Sequence, residues 1–306
     1  MGNYEKYKGK NCLKIMLQVK NLNNQIEEIW PKNGPPSQEV QKYIKKYSKE
    51  KIVIKCGGRV LLDPILFNNF IDDIVILKKL GLTPLIVHGG GPRIKRRLNE
   101  LNIETKFIMG LRVTDDKVIK VVEEVMIEFN KEIVNALEKK NCKAKSITAK
   151  ENNVIYVKQK NLELGYVGTP TTLDVKIIKN LIAEDLIPVI SPMGLDEKAQ
   201  IYNINADTAA GALAVSLKSR RLLLMTDVEG VYDKTKKLIS EIRPAEAEEL
   251  INDDTIKEGM IPKVKTCINA IEDGVRGVVI IDGRKPPHSI LFELFSDEGA
   301  GTLIRK

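Results

Sequence analysis

The sequence predicts an α/β fold built on a mainly parallel sheet covered on both faces. The runs Ile52–Ile54, Leu85–Val87, Ile187–Ile190, Leu222–Met225 and Val278–Ile281 are apolar throughout, with no polar alternation. Strands buried on both faces read this way. The segments between them carry helical spacing instead, as in 64–80, where Phe67, Phe70, Ile71, Ile74 and Leu77 share one face. Strands separated by helices argue for parallel pairing with helical crossovers.

Taken in order, residues 1–36 differ from the rest. They are rich in Asn and Lys, with one apolar stretch, Leu13–Val19, then Trp30-Pro31 and Gly34-Pro35-Pro36. They read as a loosely ordered extension or linker, and Met16 is a possible alternative start. Ser37 suits an N-cap, and Val40, Tyr43, Ile44 and Tyr47 follow at helical spacing. A helix over 37–49 is expected before the first strand, its apolar stripe meeting this chain's core or another subunit. Residues 50–306 form the main domain. Around 143–170 the pattern turns to short strands with Glu151-Asn152-Asn153, Gly165 and Gly168 as turn residues, which predicts a β-hairpin lid over the sheet edge. No long-period repeat is visible.

A chain of 306 residues can bury a large core without staples. Cys12, Cys56, Cys142 and Cys267 are far apart and form no C-x-x-C pair, so no zinc knuckle or redox motif is encoded, and a reducing, cytoplasmic compartment is expected. No stretch reaches the roughly 20 apolar residues of a membrane span. The first 50 residues contain ten Lys, five Glu and no Arg, unlike an Arg-rich, acid-poor presequence. The net charge of +8 raises nucleic-acid binding as a reading. Against it, the lysines are interleaved with Asp and Glu, and aromatics are too few, at 5%, for a base-stacking platform.

The chemistry concentrates in turns after strands. The first strand ends in Lys55-Cys56-Gly57-Gly58, and the second in His88-Gly89-Gly90-Gly91-Pro92. Ligands of open α/β sheets sit at the carboxyl ends of strands, and glycines there let backbone N–H groups approach an anion. Pro92 suits the first turn of the next helix. The P-loop pattern G-x-x-x-x-G-K-[ST] and the dinucleotide pattern G-x-G-x-x-G are both absent, so another phosphate chemistry is needed. The remaining signals are Gly110-Leu111-Arg112-Val113-Thr114, Asn203-Ile204-Asn205-Ala206-Asp207, Thr226-Asp227-Val228-Glu229-Gly230 and Gly259-Met260-Ile261-Pro262-Lys263. Taken singly each has a bland reading: Lys263 and Arg112 as solvated charges, Asp207 as a helix-dipole partner, Thr226-Asp227 as a strand exit. His88 is expected to pack or cap a turn.

In this order and over about residues 40–305, these segments resemble the amino acid kinase family and, within it, the N-acetylglutamate kinases. The resemblance implies a three-layer αβα sandwich. About 50–195 would bind the acidic substrate and about 196–306 the nucleotide. It implies Lys55, Lys263 and Asp207 as catalytic residues, with Asp207 holding both ammonium groups. Gly90, Gly91, Arg112 and Asn203 would bind substrate, and Gly57, Gly58, Thr226, Asp227, Gly259 and Met260 the nucleotide. MgATP is the implied co-substrate, with no tightly bound cofactor and no protein-held metal.

Similarity to arginine-inhibited members lies in the helix before Lys51 and in His288–Glu293 with Gly299–Thr302. It implies an L-arginine effector site at Tyr43, Lys237, His288, Glu293 and Gly299, and assembly as a homo-oligomer, a dimer or a hexamer made of three dimers. Cys56 departs from the aromatic or aliphatic residue common in the family. Arg59-Val60-Leu61 replaces small polar residues and is expected to affect lid closure or affinity. Two rival readings remain: a kinase for aspartate or glutamate, and an inactive arginine sensor.

Overall fold

A computed structural model of the chain describes residues 26–57, 60 and 62–306, apart from the side chains of Gln38 and Glu39. The expectations placed on residues 1–25, Gly58, Arg59 and Leu61 lie outside the described residues.

The predicted runs all become strands of one sheet: β1 (Lys51–Cys56), β2 (Thr83–His88), β8 (Ile187–Ile190), β11 (Arg221–Thr226) and β13 (Val278–Asp282). With β5 (Ala144–Ile147), β12 (Glu241–Ile242) and β14 (Gly301–Ile304) they form an eight-stranded sheet in the order β12-β14-β13-β11-β1-β2-β8-β5. Pairing is parallel except between β13 and β14.

Strand side chains alternate between two cores. Ile52, Ile54, Ile86, Leu223, Met225, Val279 and Ile281 join one, with α1 (Ser37–Tyr47), α2 (Pro64–Lys79), part of α4 (Asp116–Lys139) and α9 (Ser289–Phe295). Val53, Leu85, Val87, Leu222, Leu224, Val278 and Ile280 join the other, with α5 (Val175–Ala183), α6 (Ala206–Ser216), α7 (Pro244–Asn252) and α8 (Met260–Glu272). This is the three-layer αβα sandwich. A third, smaller cluster packs α3 (Gly91–Glu100) on α4. Several helices start where the sequence dictates: Asp63 caps α2 through the Ile65 and Leu66 amides, and Asp115 caps α4 through Lys117 and Val118, each cap worth ~1 kcal/mol.

Several local expectations need correction. Residues 26–36 are not a loose linker. Ile26 is buried in the core, Trp30 meets Phe295 edge-on at 5.6 Å, and its indole N–H donates to Pro35 O at 2.7 Å. The apolar area of Ile26, Ile29 and Trp30 anchors this Pro-rich segment to the core. Ser37 does not cap α1: Pro36 occupies the cap position, with no side-chain hydrogen bond. Of the apolar stripe of α1, Val40, Tyr43 and Tyr47 are buried and Ile44 is partly buried against this chain's own core rather than left open for another subunit.

The region 143–170 divides. Its first strand, β5, joins the main sheet, while β6 (Ile155–Gln159) and β7 (Gly168–Leu173) pair antiparallel. That hairpin belongs to a separate four-stranded sheet with β9 (Met193–Leu195) and β10 (Ile201–Asn203), rather than standing alone as a lid.

Candidate active site

Strand parity decides which way Lys55 points. Ile54 and Cys56 belong to the α2 side, so Val53 and Lys55 face α6 and α8. On that side α6 begins at Asn205, whose side-chain oxygen accepts from the Asp207 and Thr208 amides at 3.0 Å each. The cap fixes Asp207 in the first turn. Helix α8 lies against α6 at Gly211, where a Cβ would stand 2.9 Å from Thr266 Cγ2, and this close approach brings Lys263 to the same place.

Asp207 therefore pairs with Lys55 at 3.0 Å and with Lys263 at 2.6 Å, all three side chains being 14% exposed or less. Lys263 is thus no solvated charge, contrary to the bland reading of its Lys-rich helix. Burial alone would raise the Asp207 carboxyl, but the two ammonium groups outweigh it and hold it well below the usual carboxylate range. Gly57 follows Lys55 closely enough that a Cβ there would sit 2.6 Å from Lys55 Nζ. The Gly89 N–H donates to Cys56 O at 2.7 Å and joins the two glycine turns.

Lys55, Gly57, Gly90 and Gly91 open onto a cavity of about 230 Å³, with Arg112 and Asn203 on its other walls. Arg112 comes from β4 (Leu111–Arg112), which pairs antiparallel with β3 (Phe107–Ile108). It is buried rather than on the surface. Its Nη2 donates to Gly91 O at 3.2 Å, its guanidinium lies 4.7 Å from the Phe107 ring centre, and its Nη1 is buried without a hydrogen-bond partner. Burial lowers its pKa. A largely desolvated guanidinium lining a cavity is chemistry suited to an anion. Asn203, on β10, reaches Thr114 Oγ1 at 3.5 Å.

Sequence reasoning missed Asn205, Phe107 and Met126, which also line this cavity. The N-cap rule applied to Asn205 before the Ala-rich helix was a usable signal. For Phe107 and Met126 there was none, since their placement depends on tertiary contacts.

Thr226 ends β11 in register with Asp282, and its hydroxyl lies 3.4 Å from Asp227. Gly259 sits at the start of α8 with open space beside it, followed by Met260. These residues occupy the carboxyl edge of the sheet and the start of α8, but do not line the cavity itself. His88 is fully buried and driven down to about 4 by burial, with Nε2 accepting from Asn130 at 3.2 Å. It packs, as expected. Among the described residues, no three His, Cys, Asp or Glu side chains are grouped so as to hold a metal ion.

The residues expected to bind an effector are only partly brought together. Tyr43 donates to Asp297, beside the ion pair of Lys42 with Asp297 at 2.7 Å. Glu293 accepts from the Ala300 amide at 3.0 Å, and Gly299 (φ +72°) leaves 2.9 Å between a would-be Cβ and Glu293 Oε2. Burial raises the Glu293 carboxyl, opposed by Ala300, Arg221 and Lys46. His288 instead pairs with Asp73 of α2 at 2.6 Å. Burial pushes Asp73 up to about 6, against the pull of His288, while Asp73 raises His288. Lys237 is exposed and lies in the turn closed by Asp233.

The sequence pattern of the amino acid kinase family matches residues 50–282. An acetylglutamate kinase of Pelagibacter ubique (strain HTCC1062) is 56% identical over 282 residues, covering 92% of this chain and 98% of that protein. One from Afipia carboxidovorans is 45% identical over 282 residues, covering 88% and 95%. Among solved structures, N-acetylglutamate synthase from Neisseria gonorrhoeae, complexed with coenzyme A and N-acetyl-glutamate, superposes with a TM-score of 0.80 at 23% identity. It covers 88% of this chain and 62% of its own, and at that identity the likeness speaks to the fold alone. With sandwich, glycine turns and family pattern in agreement over most of its length, the chain belongs to the amino acid kinase family.

Proposed function

We propose that this enzyme transfers the γ-phosphoryl group of ATP to the γ-carboxylate of N-acetyl-L-glutamate, forming an acyl phosphate and ADP, a step of arginine biosynthesis. The observation that carries the reading is the Lys55–Asp207–Lys263 ion triad beside a cavity lined by the buried guanidinium of Arg112. The acetylglutamate kinases among the relatives support the choice of substrate.

A side-chain carboxyl of ordinary pKa about 4.3 is ionised at neutral pH, so its oxygen attacks phosphorus with no general base. One O–P bond forms to the carboxylate as the bond to the β-phosphate oxygen breaks. The reaction then needs alignment and positive charge over the phosphoryl oxygens. In this reading Lys55 and Lys263 supply that charge from two sides and Asp207 holds both ammonium groups in place. The Gly57, Gly58, Gly90 and Gly91 amides take up oxyanion charge. Thr226, Asp227, Gly259 and Met260 hold the nucleotide, whose Mg²⁺ is carried by phosphates and water. Arg112 binds the α-carboxylate and Asn203 the carboxylate or the acetylated nitrogen. An acetylated amine is neutral, so free glutamate would bring an unpaired ammonium into a pocket built on cations.

Steady-state ADP release with N-acetylglutamate, glutamate and aspartate in parallel tests the substrate. Turnover restricted to N-acetylglutamate is expected; equal turnover with aspartate would move the enzyme to another pathway, and none with any acid would favour a ligand sensor. Arg112→Ala should raise KM for the acid roughly 10- to 100-fold, the loss of a charge-assisted hydrogen bond. An effect confined to the KM for ATP would contradict its role.

Feedback inhibition by L-arginine belongs to the same reading, with Glu293 as the partner of the ligand guanidinium and Tyr43 and Gly299 beside it. Glu293→Gln keeps an oxygen for the Ala300 amide and removes the charge. Inhibition by millimolar arginine, measured against each protein's own uninhibited rate, should disappear in this variant, and full inhibition would remove Glu293 from the site. Assembly as a dimer or hexamer would have to use surfaces other than the buried stripe of α1.

A further inference from the structure

The last strand before α9 ends in a group that the functional reading leaves unused. Asp282, at the end of β13, is 2% exposed. Its carboxylate takes a fork from Arg284, Nε to Oδ1 at 2.9 Å and Nη2 to Oδ2 at 2.8 Å, and the Arg284 amide also donates to Oδ1 at 2.8 Å. So held, the guanidinium has one orientation, and its Nη2 donates across to Asp227 O at 2.5 Å. The Gly283 amide adds a backbone bond to Thr226 O at 3.0 Å. A Cβ on Gly283 would overlap Val60 Cγ2 and stand 3.2 Å from Met225 Cε. The exits of β1, β11 and β13 therefore converge on residues 282–284.

We infer that Arg284, oriented by Asp282, is a positioning residue for nucleotide: it clamps the Thr226–Asp227 exit in the shape that receives ATP. The inference rests on the proposed kinase reading for the identity of that ligand. A simpler role would be to neutralise buried Asp282. The contact to Asp227 O argues otherwise, since it does nothing for Asp282 and fixes the neighbouring strand's exit. Ligands of open α/β sheets bind at such exits, and a fork-shaped, rigidly held cation suits this task in a way a lysine does not.

The test is direct binding of a fluorescent ATP analogue with Mg²⁺ to the free protein, without any acid, together with KM for each substrate and thermal stability. Arg284→Ala should weaken nucleotide affinity roughly tenfold or more, with KM for the acid within a few-fold of normal. Arg284→Lys, which keeps the charge and is the milder change for folding, should recover little of the loss. Unchanged nucleotide affinity in both variants, or full recovery by lysine, would overturn the clamp while leaving the kinase reading intact. Equal weakening for both substrates alongside a lowered melting temperature would also overturn it, in favour of a purely structural pair. Failure of the unmodified protein to bind the nucleotide would remove the kinase reading and the clamp together.

Discussion

Replacing Lys55 or Lys263 by alanine is expected to lower kcat by roughly 10²- to 10³-fold, the usual cost of removing one preorganised charge from a transition state. KM for the acid should move far less, because in the proposed reading Arg112 and the glycine amides, rather than these ammonium groups, hold the acid in the ground state. Each lysine side chain is 12% exposed or less beside Asp207, so its charge is little screened by water or salt. Either variant leaves Asp207 with its remaining partner, which limits the damage to folding. Coupled ADP assays at saturating substrates check the prediction, and near-normal kcat in both variants would contradict the roles assigned to the triad.

Removal of the carboxylate between them should act on the fold as well as on turnover. Asp207→Ala leaves two ammonium groups facing each other in a largely buried site, a loss on the order of 3–5 kcal/mol when one partner of a buried pair is removed. A fall in melting temperature of several degrees, together with near-complete loss of activity, is the expected result. The sign of the pH dependence follows from the depressed carboxyl. Its contribution to stability is complete above the unfolded pKa of about 3.9 and is lost only as pH falls through the lower folded value. The stability gap between wild type and variant should therefore not close as pH falls from 9 to 6. A gap that closed on moving from pH 9 to pH 6 would mean that Asp207 titrates near neutrality and is not held by both lysines.

The sandwich was legible because its central strands are apolar without interruption, and runs as short and β-branched as Ile52–Ile54 and Val278–Ile281 suit buried strands rather than buried helices. The second sheet was not, since β9 and β10 have three residues each and present no periodicity to read. Trp30 went unread because the surrounding Pro, Asn and Gly outvote one aromatic in any window average, although a single large ring meeting Phe295 decides the packing.

In the site, Lys55 and the glycine turns announced themselves by position after strands. Asp207 and Lys263 did not: alone, each looks like an ordinary helix charge, and their meeting depends on the close contact of α6 and α8 at Gly211. Arg112 shows the same limit, because its burial follows from a hairpin of two two-residue strands. His288 was grouped with Glu293 by the resemblance to arginine-inhibited family members. It caps the start of the helix that carries Glu293 in a left-handed conformation at φ +60°, and its ring pairs with Asp73 of α2.

The most direct test of the central claim is to trap the product. With MgATP, N-acetylglutamate and hydroxylamine, an acyl phosphate is captured as the hydroxamate while ADP accumulates. One hydroxamate per ADP, with N-acetylglutamate but not with free glutamate or aspartate, is the predicted result. ADP release without hydroxamate, or hydroxamate formed equally well from free glutamate, would contradict it.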